Sequence, residues 1–110
     1  MALFWATCED LVITNGGTTS RAVDTANETI DAWYLNLQAP ATLAETCTIE
    51  VSHDNSTWTT LNNGVSDVYT PTAGKGGIYE NLSFPYFRLK ASSAVAATRT
   101  FKLSKAWNAY

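Results

Sequence analysis

The chain has 110 residues, a 45% hydrophobic fraction, 15% charged residues and a formal net charge of -3. Its length suits one domain, and its apolar content excludes a disordered chain. Charge this sparse and slightly acidic, against roughly 25% charged residues in a typical domain, excludes a phosphate-binding surface of the kind nucleic acids need. Thr, Ala, Ser and Asn take the place of Lys and Glu, so the surface repels itself less and suits a protein that sits against neighbours.

The opening stretch Met1-Ala2-Leu3-Phe4-Trp5 lacks a basic region and soon meets Glu9-Asp10, so it does not read as a signal peptide. No apolar run approaches the roughly 18 residues that span a bilayer. The expectation is a chain made and kept in a cytosol, or assembled there into something larger. Leu11-Val12-Ile13-Thr14 reads as a strand that ends at the turn Asn15-Gly16-Gly17. Thr18 to Thr29 is a polar connection without a clear period. Ile30 to Ala39 is the best long strand, with Trp33, Leu35 and Leu37 on one face, and Pro40 stops it.

Thr46 to His53 alternates with Cys47, Ile49 and Val51 inward and Thr48, Glu50 and Ser52 outward. Asp54-Asn55-Ser56-Thr57 forms a tip, and Trp58 to Leu61 returns as the second strand of a hairpin. Asn62-Asn63-Gly64 turns into Val65 to Thr70, and Pro71 with Gly74-Lys75-Gly76-Gly77 breaks the chain again. Ile78 to Leu82 is a short strand. Tyr86 to Ala91 places Phe87, Leu89 and Ala91 inward, and Arg99 to Ser104 does the same with Phe101 and Leu103. No segment sustains helical spacing; Ala91 to Ala97 is helix-friendly but short. About seven to eight strands with regular turn signals predict an all-β fold, an antiparallel two-sheet sandwich of jelly-roll or discoidin-like type. With no repeat and no linker, residues 1–110 read as a single domain. The predicted core is Trp33, Leu35, Leu37, Ile49, Val51, Phe87, Leu89, Phe101 and Leu103.

Chemistry-bearing patterns are weak. Ser52-His53-Asp54 contains the residue types of a hydrolase triad, but neighbours in a strand point to opposite faces and do not converge. His53 is the only histidine, which argues against histidine-based zinc chemistry. Gly74-Lys75-Gly76-Gly77 lacks the spacing of a phosphate loop and reads as a hairpin tip. Asp54-Asn55 lacks a calcium-loop pattern and reads as a turn capped by its own Asp side chain. Cys8 and Cys47 read as reduced, buried thiols, although the sequence leaves a bridge between them open. The sequons at Asn27, Asn55 and Asn81 read as chance in a Thr-rich chain. Trp33 and Trp58 read as core residues. No catalytic residue, metal site or cofactor is expected. The ends of the chain are unusually apolar, with Phe4, Trp5, Trp107 and Tyr110; they either pair as first and last strands or dock on another subunit.

Two stretches carry a resemblance. Ile49-Glu50-Val51-Ser52-His53-Asp54-Asn55-Ser56-Thr57-Trp58 resembles an I-x-V-S-x-D-G-x-x-W hairpin, with Asn55 in the glycine place. Phe84-Pro85-Tyr86-Phe87-Arg88-Leu89 resembles the P-Y-x-R-L start of a later strand. The pair is similar to two kinds of β-sandwich: the discoidin-like carbohydrate-binding type, and small virion proteins of tailed bacteriophages that include capsid decoration (cement) proteins. The discoidin type is usually longer and secreted with a terminal disulfide, so this chain resembles the phage group more closely. That resemblance implies a structural virion protein on the outer capsid surface, assembled in the host cytoplasm. Its partner would be the major capsid protein; no functional residues carry over from that group, and the candidate subunit or capsid interface, Phe4, Trp5, Trp107 and Tyr110, rests on the apolar character of the chain ends. The resemblance further implies a homotrimer, because such proteins often sit on three-fold positions. The alternative is a carbohydrate-binding module whose partner is a glycan.

Overall fold

The computed structural model describes residues 2–29, 34–61, 72–80 and 84–109. Among these residues, nine strands and one short helix follow in chain order: β1 (Ala2–Thr7), β2 (Leu11–Ile13), β3 (Val23–Asp24), α1 (Thr25–Glu28), β4 (Tyr34–Gln38), β5 (Cys47–Ser52), β6 (Thr59–Thr60), β7 (Gly76–Glu80), β8 (Tyr86–Ala91) and β9 (Arg99–Ala109). They form two antiparallel sheets packed face to face, the predicted all-β sandwich. The first sheet has the order β1-β9-β4-β7, with β2 also paired to β9; the second has the order β3-β8-β5-β6. Trp33, Asn62-Asn63-Gly64, Val65 to Thr70, Asn81 and Tyr110 lie outside the described residues.

Period-2 alternation builds the core. Leu11, Ile13, Leu35, Leu37, Phe101 and Leu103 project from the first sheet, and Val23, Cys47, Ile49, Val51, Phe87, Leu89 and Ala91 from the second; all are buried in one cluster. Such strands alternate because one face excludes water and the other does not. Every predicted core residue within the described segments is buried. Val95, in the connection before β9, closes one end: Gly16 N donates to its carbonyl at 2.9 Å, and its own N–H donates to Gly17 O at 3.0 Å. That close approach needs the turn at Gly16, whose φ of 84° favours glycine.

The connection from Thr18 to Thr29 is more ordered than its composition predicts. It runs along β8, where Ser20 N donates to Leu89 O at 3.0 Å and Ala91 N donates to Thr18 O at 2.7 Å. Ser20 Oγ accepts from Leu89 N at 2.9 Å, which satisfies a buried hydroxyl. The segment then makes β3 and the single turn α1. Asp24 caps α1 by accepting from Ala26 N at 3.1 Å, and Glu28 reaches back to accept from Asp24 N at 2.8 Å.

Two sequence readings are corrected. Ser52 keeps the outward parity of Thr48 and Glu50 but does not meet solvent: it is 3% exposed, because the hairpin tip folds back over its hydroxyl. Trp58 is not a core residue: it is half-buried on the outer face of the second sheet, where the Arg88 guanidinium stacks 4.2 Å from its ring centroid. Arg88 is in turn paired across the strands with Glu50 at 2.9 Å.

Candidate functional site

The aromatic residues at the two ends of the chain meet on one strand pair. β9 is the longest strand, at 11 residues, and β1 pairs with its second half in the register Phe4↔Trp107, Trp5↔Ala106, Ala6↔Lys105. The two end segments therefore pair as first and last strands of one sheet. Pairing does not bury them, however. Phe4 remains 48% exposed and Trp5 69% exposed, and with Val12 they are the exposed large hydrophobic residues among those described.

The two rings occupy opposite faces. Phe4 lies on the core side, 6.2 Å from the ring of Trp107, and Lys105 Nζ stands 5.7 Å from the Trp107 centroid. Along β9 the inward face thus changes from the buried Phe101 and Leu103 to the half-buried Lys105 and Trp107, where the buried core gives out. Trp5 lies on the other face, in register with Ala106 and, beyond it, Tyr34.

A one-residue bulge makes this arrangement compatible with the core. Between the pairs Thr7↔Ser104 and Leu11↔Phe101, three residues of the first strand face two of β9. Without the extra residue, Leu11 and Ile13 would share the outer face with Trp5. With it, they turn into the core while Trp5 stays outside. Arg21 holds the bulge: Nη2 donates to Glu9 O at 2.8 Å, Nε donates to Asp10 O at 3.3 Å, and Nη1 pairs with Glu28 at 2.6 Å. No sequence signal marked either the bulge or its clamp, since an extra residue in a ladder has no composition of its own.

Beside Trp5, the outer face of the first sheet forms an open groove of about 860 Å³, lined by Thr7, Asn36, Gln38, Lys102 and Ser104. Lys102 Nζ pairs with Asp10 at 2.9 Å, and Asn36 Nδ2 donates to Ser104 Oγ at 3.4 Å. Cys8 borders the groove and is half-buried, while Cys47 is buried in the core; both are free. Burial pushes both thiols above their ordinary values.

The Ser52-His53-Asp54 stretch is a turn. Ser52 Oγ donates to Asp54 Oδ1 at 3.0 Å and accepts from Asn55 N at 3.0 Å, while Asp54 Oδ1 accepts from Thr57 N at 2.8 Å and Ser56 N at 2.9 Å. His53 points elsewhere, its ring 5.3 Å from that of Phe84. Asn55 takes φ 60°, the left-handed conformation that explains a glycine at the matching place of the hairpin motif. The N–H groups of Thr57 and Ser56, with the Ser52 hydroxyl, hold the Asp54 carboxyl down at about 2. Its folded value lies below its ordinary value of 3.8. The carboxylate therefore supports the hairpin above that ordinary value, and the support is lost as pH falls through about 2. Asp54→Ala is expected to lower the melting temperature at neutral pH. The gap from the parent should close progressively below the ordinary value; a gap unchanged down to pH ~2 would refute this role.

Among the described residues, no group of three or more His, Cys, Asp or Glu residues is placed to hold a metal ion. The Gly74-Lys75-Gly76-Gly77 segment is the turn leading into β7, closed by Gly74 N donating to Pro40 O at 2.8 Å and Lys75 N to Thr72 O at 2.9 Å. Comparison with protein-family models, curated proteins and solved structures finds no match to this chain.

Proposed function

We propose that the chain is a structural protein of a tailed-phage virion, a capsid decoration protein that docks on the outer shell through the β1–β9 strand pair. The observation that carries the reading is the exposure of Phe4 and Trp5, at 48% and 69%, on opposite faces of the β1–β9 strand pair. Aromatic anchors of this kind dominate the energetics of protein interfaces. The rest of the surface agrees, since sparse charge lowers the cost of burying it against a partner. The two stretches that resemble the phage group are neighbours in the second sheet: the β5–β6 hairpin, and the Phe84-Pro85 lead into β8. Bound at junctions of the major capsid protein, such a sandwich would add contact area where the shell is weakest. Coexpression with the major capsid protein of the same phage, followed by sedimentation of assembled shells, tests it. The parent chain should travel with the shells, and a Phe4→Ser, Trp5→Ser variant should remain in the supernatant. A parent chain that never co-sediments would sink the reading.

One observation favours the glycan alternative. The groove beside Trp5 combines an exposed indole with the amides of Asn36 and Gln38 and the hydroxyls of Thr7 and Ser104. Flat apolar rings flanked by planar hydrogen-bonding groups match the two faces of a sugar ring. On a glycan array this reading requires a reproducible hit that is lost in Gln38→Ala.

A further inference from the structure

We infer that β1 pairs edge to edge with β1 of a second copy, across a two-fold axis at Trp5, to make one continuous sheet through two molecules. The backbone groups of β1 that β9 already uses fix which ones remain open. Cys8 N donates to Leu103 O at 2.8 Å, in phase with the β1–β9 register. In an antiparallel ladder, alternate residues exchange bonds with the neighbouring strand. The residues of β1 bonded to β9 are therefore Ala2, Phe4 and Ala6. On the far side of the sheet, Ala39 N donates to Lys75 O at 3.0 Å, the phase that this alternation requires when carried across β9 and β4. Among the described residues, no strand pairs with the N–H and C=O groups of Leu3, Trp5 and Thr7, which lie on the open edge.

Those three residues are self-complementary. Antiparallel pairing with a second copy sets Trp5 opposite Trp5 and Leu3 opposite Thr7, and every donor on the edge finds an acceptor. Phe4 then falls opposite Ala6 on the other face, a large residue beside a small one. A two-fold contact needs this kind of patch, with the same surface on both molecules. Ala2–Thr7 carries no ionisable side chain, and the pairing keeps Glu9 and Asp10 of the two copies at opposite ends of the seam.

The other edges differ. Exposed edges in monomeric sheets are blunted by shortness, lysine, proline or a bulge. β2 has three residues and β3 and β6 have two each, while β7, with five, opens on Gly76-Gly77, whose missing side chains weaken a strand. β1 is the longest strand at an edge among the described residues and has none of these devices within its six residues. The bulge comes only after Thr7, where the pairing segment ends.

This pairing does not rest on the virion reading, because it is measured without shells. By sedimentation equilibrium at micromolar protein, the parent chain should weigh twice its 12.0 kDa. Thr7→Pro removes an N–H from the open edge and none bonded to β9, and Trp5→Lys sets like charges opposite each other; each should give monomer with an unchanged far-ultraviolet circular dichroism spectrum. Trp5→Cys in a Cys8→Ser background should oxidise to a covalent dimer, since directly opposed, hydrogen-bonded residues have Cα atoms about 5.5 Å apart, within disulfide reach. Thr7→Cys in the same background should not cross-link to itself. A monomeric parent, a trimer, a dimer that persists in both edge variants, or failure of Trp5→Cys to cross-link overturns the inference.

Discussion

Phe101→Ala is expected to cost about 3–5 kcal/mol, a large part of the roughly 5–15 kcal/mol that holds a domain of this size. Phe101 is the largest fully buried side chain among the described residues and is 0% exposed. It sits on β9 where both neighbouring strands converge: Leu11 is its partner on β2, and Leu103, next on the same face, is paired with Leu37 on β4. Truncation leaves a cavity lined by both sheets, and strands pinned by two ladders have little freedom to collapse into it. Val12 is the control. It lies on β2 one residue from Leu11, is 37% exposed, and is paired with Thr100 on the outward face. Val12→Ala should change stability by no more than about 0.5 kcal/mol. Urea unfolding followed by tryptophan fluorescence separates the two variants. Equal losses would mean that the bulge does not set the facing of β2 as described.

The contrast between Phe101 and Val12 also shows why the sandwich could be read from the chain, whereas of the candidate site the residues could be read but not their facings. Where a strand has water on one face and core on the other, alternation records both, and β5 and β8 were legible almost to the residue. β9 was read as stopping at Ser104 although it continues to Ala109. The backbone does not change there; the environment does. Beyond Leu103 the inward positions hold Lys105 and Trp107, so the apolar period lapses while the ladder goes on. The same loss hid β1, whose two faces both carry exposed aromatic rings. Phe4, Trp5 and Trp107 could be picked out as unusual, but their opposite facings depend on register, and register across more than 100 residues of chain leaves no local mark. Trp58 failed for a related reason. It stands just before β6, a two-residue strand whose residues are both exposed, so there was no core face for its parity to join.

Arg99→Ala should destabilise the chain more than any other single removal of a cation described here. Arg99 opens β9 and is 6% exposed, a burial that alternation alone assigns to an apolar residue. Its guanidinium grips Glu45 with both ends of the fork, Nε to Oε1 at 3.0 Å and Nη2 to Oε2 at 3.3 Å, while Nη1 donates to Thr42 O at 3.2 Å. Glu45 also accepts from Ala96 N at 3.3 Å. The pair thus ties the connection after β4 to the connection before β9, at one end of the sandwich. Removing the arginine leaves a carboxylate in a site with little water, which is the costly way to break a buried pair. Arg88→Ala, at a half-covered pair, should cost less, and Lys102→Ala, whose side chain is 66% exposed, least of all. Replacing both partners, as Arg99→Met with Glu45→Met, should restore much of what Arg99→Ala loses. The acid limb supplies an independent check. The hydrogen bond from Arg99, helped by Ala96 N–H and opposed by burial, holds the Glu45 carboxyl below its ordinary value of 4.5. A folded value below the unfolded one stabilises the chain above that ordinary value, and the contribution drains away as pH falls through the lower, folded value. The parent should therefore lose stability more steeply on acidification than the double Met variant. If Arg99→Ala costs no more than Lys102→Ala at neutral pH, the pair does not hold this end of the sandwich closed.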